Sequence, residues 1–175
     1  MQSFAKPVNI KKPYILVYSV AGDLEFKKMV KSLKKESNCQ LICINTNVYN
    51  AYNSDILLNN VSPNQFVWLI NNAKEVYTSS YHALLFSIIF NKPCSLKYNK
   101  IRSSRHNDIL KLLNIKYEIN NVDDNITYLY INEEYIKECQ EKLNKEITKS
   151  KEFLRKSISS KKWKYYWIII IAYIF

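Results

Sequence analysis

Apolar residues in this chain gather in short β-branched runs that alternate with amphipathic stretches, the rhythm of a β-α-β fold. Tyr14–Val20 (YILVYSV) is a continuous apolar run after Pro13, which predicts a strand covered on both faces. Gly22-Asp23 offers a turn and a helix N-cap. Phe26, Met29, Val30 and Leu33 then recur at i, i+3, i+4 and i+7, one face of an amphipathic helix that ends at Ser37-Asn38. Cys39–Ile44 (CQLICI) reads as a second strand, and a crossover of this kind implies a parallel pair.

Thr46–Val61 is a polar connection with no clear period. A helix start follows at Ser62-Pro63-Asn64-Gln65: Ser62 suits the cap, Pro63 the first helical position, and Gln65 the return arm of a capping box. Phe66, Leu69, Ile70 and Ala73 make the inward stripe. Lys74–Thr78 predicts a short strand, and Ser79-Ser80 can cap a helix over Tyr81–Phe90. In that helix Leu84, Leu85, Ile88 and Ile89 leave little polar surface. Asn91-Lys92-Pro93 stops it, because proline disfavours helical geometry in the residue before it. Cys94–Tyr98 is a further strand and Ile101–Arg105 a polar loop, followed by a helix around Asn107–Leu113. Lys116–Asn125 reads as a loop or a short edge element, and Ile126–Ile131 (ITYLYI) is ambiguous. Asn132 caps a long helix with Glu133 and Glu134 in its first turn, where they complement the helix dipole. Ile136, Leu143, Ile147, Leu154 and Ile158 carry its apolar face. The expected fold is α/β, a Rossmann-like parallel sheet flanked by helices over residues 1–160, with 161–175 as a tail.

That tail changes the picture at one end. Trp163-Lys164-Tyr165-Tyr166-Trp167 precedes Ile168–Ile171, Ala172, Tyr173, Ile174 and Phe175. The apolar run is about half of the ~20 residues that span a bilayer. Basic residues followed by aromatics fit a membrane-interface anchor; a terminal strand is the other reading. The first twelve residues lack the apolar core of a signal peptide. The four cysteines, Cys39, Cys43, Cys94 and Cys139, form no C-x-x-C pair, so a reduced cytoplasmic protein is expected, at the inner membrane face if the tail anchors it.

Composition narrows the chemistry. Gly22 is the sole glycine, so neither G-x-G-x-x-G nor a Walker A loop exists in the chain. The net charge of +11 favours anionic partners, yet the lysines are scattered and no nucleic-acid motif accompanies them. With His82 and His106 as the only histidines, a structural metal site has little to draw on.

The strongest candidate site is Thr78-Ser79-Ser80-Tyr81-His82, where a strand gives way to a helix. Ligands of open α/β sheets bind outside strand carboxyl ends, and a helix N-terminus suits phosphate or carboxylate. Ser79 and Ser80 add hydroxyls, and His82 can move a proton near neutral pH. A second candidate is Arg102-Ser103-Ser104-Arg105-His106 after the next strand, where an arginine could clamp an anion. Surface or structural roles for these side chains explain the same residues without a ligand. Asp123 and Asp124 read as turn residues.

The segment SPNQFVWLINNA (62–73), then KEVYTSSYHALLFSIIF (74–90) and Asn91-Lys92-Pro93, resembles the carboxyl-terminal domain of the polysaccharide pyruvyl transferase family. That family carries S-P-x-E-F-x-x-L-I-x-x-A, then V-x-T-x-S-F-H-G-x-x-F-S-I-x-F-x-K-P-F. It continues to S-x-R-x-x-x-L-L, matched by Ser103 or Ser104, Arg105 and Ile109–Leu113, and to S-x-x-F-L, matched at Ser150–Leu154. The resemblance implies one half of a two-domain, glycosyltransferase-like fold. It also implies pyruvyl transfer from phosphoenolpyruvate to a glycan or lipid-linked saccharide, without metal or organic cofactor. His82 would bind the donor or act as general acid, Arg105 would hold its carboxylate or phosphate, and Ser79 and Ser80 would support it, with Arg102 a second choice.

Two residues depart from the pattern: Tyr81 replaces phenylalanine, and Ala83 replaces a glycine, where a methyl could crowd a ligand. The family's amino-terminal domain has no counterpart in these residues, so a separate amino-terminal half is the expected partner for efficient catalysis. A sugar-nucleotide glycosyltransferase and an anion-binding remnant are the alternative readings.

Overall fold

The structure, a computed structural model, describes residues 4–19, 38–44, 54–98, 104–123 and 126–159. The helix expected around Phe26–Leu33 and the tail at 161–175 lie outside the described residues. The chain divides into two compact units, Met1–Glu138 and Cys139–Phe175.

The first unit is built on a seven-stranded sheet. Its elements are β1 (Tyr14–Tyr18), β2 (Gln40–Ile44), β3 (Ile56–Leu58), α1 (Pro63–Asn72), β4 (Glu75–Thr78), α2 (Tyr81–Ile89), β5 (Cys94–Tyr98), α3 (Ser104–Leu113), β6 (Glu118–Asp123) and β7 (Ile126–Ile131). The strand order is β3-β2-β1-β4-β5-β7-β6. β1 to β5 are mutually parallel, and β7 and β6 add an antiparallel edge. The α/β Rossmann-like class read from the sequence is what the chain adopts. The wholly parallel sheet is corrected at that edge. The ambiguous Ile126–Ile131 run and the loop before it form a hairpin, with a register shift between Asn121 and Asp123. A short hairpin brings the chain back antiparallel, whereas parallel neighbours need a crossover. β3 was hidden in a polar stretch. Its register is held by Asp55, whose carboxylate accepts from the Leu41 N–H at 2.8 Å while its own N–H donates to the Leu41 carbonyl at 2.8 Å.

One sheet face buries Leu16, Ile42, Val76 and Leu96 completely. On this side Tyr14 donates its hydroxyl to the Leu69 carbonyl in α1 at 2.7 Å, and Tyr18 packs edge-on against Phe66 of α1 at 5.0 Å. On the other face Ile15, Val17, Leu41, Cys43 and Tyr128 form an apolar cluster. Burial pushes the Cys43 thiol up to about 11 and that of Cys94 to about 12, so both pack as small apolar side chains.

Helix ends follow the expected chemistry with one change. Gln65 reaches back to accept the Ser62 N–H at 3.0 Å, but the Ser62 hydroxyl turns to the Gln65 and Asn64 side chains rather than to helix backbone. Asparagine does the work that glycine does elsewhere. Asn60, Asn91 and Asn114 all have positive φ (57°, 55° and 52°). Behind α2, Lys92 N–H donates to the Ser87 carbonyl (2.8 Å) and Asn91 N–H to that of Ile88 (3.3 Å). Behind α3, Ile115 N–H reaches Leu110 (2.9 Å) and Asn114 N–H reaches Lys111 (3.1 Å). Both are Schellman closures.

The long helix α4 (Glu133–Ser159) starts in the first unit and forms the described part of the second. Asn132 caps it as expected, its side chain accepting from the Tyr135 N–H at 2.9 Å. Ile136 and Leu143 are buried, but the expected apolar face does not stay so: Leu154 and Ile158 are 55% and 60% exposed.

Candidate functional site

The strand order reverses between β1 and β4. From β1 the chain moves outward through β2 and β3, then returns to place β4 and β5 on the other side. Two loops diverge at such a point and leave a crevice at the strand carboxyl ends. Here a polar bridge ties the two strand ends together. Thr78 donates its hydroxyl to the Tyr18 carbonyl at 2.6 Å and receives the Ser80 N–H at 2.9 Å, while the Ser79 and Ser19 hydroxyls meet at 3.0 Å.

α2 begins on that bridge. Ser80 is its N-cap, accepting from the Ala83 N–H at 3.5 Å. A first helical turn has backbone N–H groups with no intrahelical acceptor and carries the positive end of the helix dipole. Behind it, Ala83, Leu84, Ser87 and Ile88 are buried, and Ser87 returns its hydroxyl to the Ala83 carbonyl at 2.8 Å. The apolar body thus anchors the helix rigidly and leaves its polar first turn at the crevice.

Beside that turn lies an open cavity of about 520 Å³. Ser80 and His82 supply polar groups to it together with Asn60, while Phe4, Tyr18, Phe66 and Phe86 supply aromatic surface. The two helix starts, at Pro63 and Ser80, both border it. Asn60 does so from its left-handed backbone, a conformation that costs energy for any residue with a Cβ.

The structure splits the residues read from sequence into two groups. Ser80 and His82 line the cavity, and His82 is exposed. Ser79 sits in the bridge beneath them. Arg105 is absent from the cavity lining; it begins α3 with its guanidinium 5.4 Å from the Tyr81 ring centre. Arg102 lies outside the described residues. Tyr81 links the groups, because its ring also meets His82 edge-on at 5.7 Å and His106 at 6.0 Å.

In the sequence Tyr81 is a departure from the family pattern and His106 the last residue of the second candidate segment, and neither is marked there as a contact between the two segments. His106 is only 9% exposed, and neither ring nitrogen has a hydrogen-bond partner among the described residues. Burial first, and then the Arg105 charge, hold it below the ordinary histidine pKa, which favours the neutral ring. The available signal was rarity: the chain has two histidines, and each falls at the start of a helix that follows a strand. Ala83, where crowding was anticipated, is fully buried and does not line the cavity.

A family model described as polysaccharide pyruvyl transferase matches residues 2–101, which takes in β1 to β5, both helices of the crevice and the bridge between the strands. The chain belongs to the polysaccharide pyruvyl transferase family. No curated protein and no solved structure matches it. Family membership puts the chain among transferases of polysaccharide biosynthesis. Within this pyruvyl transferase domain, Ser79, Ser80 and His82 fall inside the matched residues and Arg105 and His106 outside them. Among the described residues there is no grouping of three or more His, Cys, Asp or Glu side chains suited to a metal, and no helix is long and apolar enough to cross a membrane.

Proposed function

We propose that this domain binds phosphoenolpyruvate at the first turn of α2 and serves the transfer of its pyruvyl group to a sugar of a surface polysaccharide. The observation that carries the reading is the position of Ser80 and His82. Both stand at a helix N-terminus, at the reversal of strand order, inside the residues that match the family. The donor carries a phosphate and a carboxylate, and backbone N–H groups with the Ser80 hydroxyl suit one of them. Arg105, held against Tyr81, supplies a full positive charge for the other.

In the proposed reaction the enol carbon takes a proton and a sugar hydroxyl oxygen attacks the neighbouring carbon. A second hydroxyl of the same sugar then forms its bond to that carbon as the carbon–oxygen bond to phosphate breaks, giving a cyclic ketal; of the two hydroxyl protons released, one restores the general acid and the other leaves with inorganic phosphate. His82 is the candidate general acid for the first proton, since its exposed ring borders the space a substrate would enter. The aromatic cavity beside it suits the sugar: ring faces attract polarised C–H bonds, while Asn60 can pair a hydroxyl. No metal or organic cofactor enters this scheme, and an amino-terminal Rossmann-like half would close the other side of the cleft. Phosphorus NMR of the chain mixed with phosphoenolpyruvate and a panel of pyranosides, with and without such a half, tests the scheme. Release of inorganic phosphate only when a sugar is present is expected; phosphate release independent of sugar would sink it.

A further inference from the structure

The described part of the second unit is a helix that keeps its apolar period after its burial has ended. Phe153, Leu154 and Ile158 are 66%, 55% and 60% exposed. At 3.6 residues per turn, Phe153, Ser157, Ser150, Leu154, Ile147 and Ile158 follow one another around a single continuous arc of α4. Lys151 and Arg155 border one side of that arc, and Lys149 and Lys156 border the other. Between Lys149 and Ser159 there are four basic residues (Lys149, Lys151, Arg155, Lys156) and one acidic residue (Glu152), a net charge of +3.

Such a helix has an apolar strip with a positive rim on both sides, and the two features together select the occupant. A protein groove needs only the strip. An anionic lipid surface needs both, because aromatic and aliphatic side chains sink to the headgroup–acyl boundary while lysine and arginine stems reach back to the phosphates. Glu146 falls within the arc, between Phe153 and Ser157, where it is ion-paired with Lys149 at 2.6 Å; in water such a pair is weak, and Glu146 lies one turn before the segment that carries the exposed apolar residues. The sequence that follows keeps the same chemistry, with Lys161, Lys162 and Lys164 among Trp163, Tyr165, Tyr166 and Trp167.

We propose that Lys149–Ser159 is a membrane-surface segment that lies in the interface of an anionic bilayer with Phe153, Leu154 and Ile158 inward. This assignment is independent of the donor-site reading. Co-sedimentation of the full chain with vesicles of phosphatidylcholine, alone or mixed with phosphatidylglycerol, tests it. Binding is expected to be several-fold stronger to the mixed vesicles and to fall as salt is added. The double substitution Phe153→Glu with Leu154→Glu should abolish it with the melting temperature unchanged, since both positions face water. Lys151→Glu with Arg155→Glu should remove the preference for phosphatidylglycerol. Three results would each overturn the proposal: equal binding to both vesicles, full binding by the Phe153/Leu154 variant, or loss of binding only on substituting Trp163 and Trp167. Formation of a dimer by the wild type that the same glutamates disrupt, without lipid binding, would assign the strip to a second copy of the chain instead.

Discussion

α2 and the end of α4 carry apolar residues at the same helical spacing and meet opposite fates. In α2 the stripe rests on a sheet: Ala83, Leu84, Ser87 and Ile88 are buried, and the one exposed residue of that helix is His82. In α4 the stripe runs on through Phe153, Leu154 and Ile158 into solvent. Periodicity therefore marks a face that wants cover, and what supplies the cover is a separate question. α2 has its cover in the fold and is left with a polar first turn to offer a ligand. The end of α4 keeps its apolar strip uncovered, together with a basic rim.

The contrast is open to direct attack. Leu84→Ala removes a fully buried side chain and should cost about 2–5 kcal/mol by chemical denaturation, enough to unfold a marginal domain. A cost below about 1 kcal/mol would mean that α2 is not the rigid anchor described. Ser80→Ala removes the cap of the same helix and should cost about 0.5–2 kcal/mol. Ser80→Gly should recover most of that loss if capping alone is at stake.

A smaller effect reaches α2 through its neighbour. His106 has its pKa lowered by burial and by Arg105, so the unfolded chain takes up this proton first as the pH falls. Its contribution is complete above about pH 6.5, the unfolded value, and is lost as the pH drops from there through the lower folded value. His106→Phe should flatten the fall in melting temperature across that window. Glu75 slopes the other way: burial raises its pKa, so its contribution is present below about pH 4.5 and is lost as the pH rises through the folded value. The difference between wild type and His106→Phe, rather than either curve alone, isolates the histidine. The smallest effect belongs to α4, where Leu154→Ala should change stability by no more than about 0.5 kcal/mol. A loss comparable to that of Leu84→Ala would show that the strip is covered after all.

Much of the fold was legible because its signals are local. The runs YILVY and QLICI sit on the central strands, Asn132 and Ser80 cap their helices, and Asn91-Lys92-Pro93 ends α2. What escaped depends on partners distant in sequence. β3 is three residues long and exists because β2 offers an edge and Asp55 fixes the register. The β6–β7 hairpin gives no sign in sequence of running against its neighbours. The asparagines, abundant enough to look like background, proved specific at Asn60, Asn91 and Asn114, where a chain with one glycine needs positive φ.

Of the candidate site, Ser80 and His82 were readable from the strand-to-helix junction, and the structure brings both to the cavity. Arg105 was readable as a charge but not as a partner of Tyr81, because the two residues are far apart in sequence and meet only once the helices that carry them are placed by the fold. The Tyr81 ring lies between His82 and Arg105 and meets both, and under the proposed donor site it would position them. Tyr81→Phe should keep the ring contacts, whereas Tyr81→Ala should release both neighbours and raise the KM for the donor more than it lowers kcat.

The central claim is that the first turn of α2 is the donor site, and calorimetric titration with phosphoenolpyruvate tests it most directly. Wild type should bind, and His82→Ala should bind at least about tenfold more weakly, equivalent to about 1.4 kcal/mol, with its melting temperature unchanged because His82 is exposed. Wild-type protein that ignores phosphoenolpyruvate at millimolar concentration, or His82→Ala that binds it as well as wild type, would contradict the assignment.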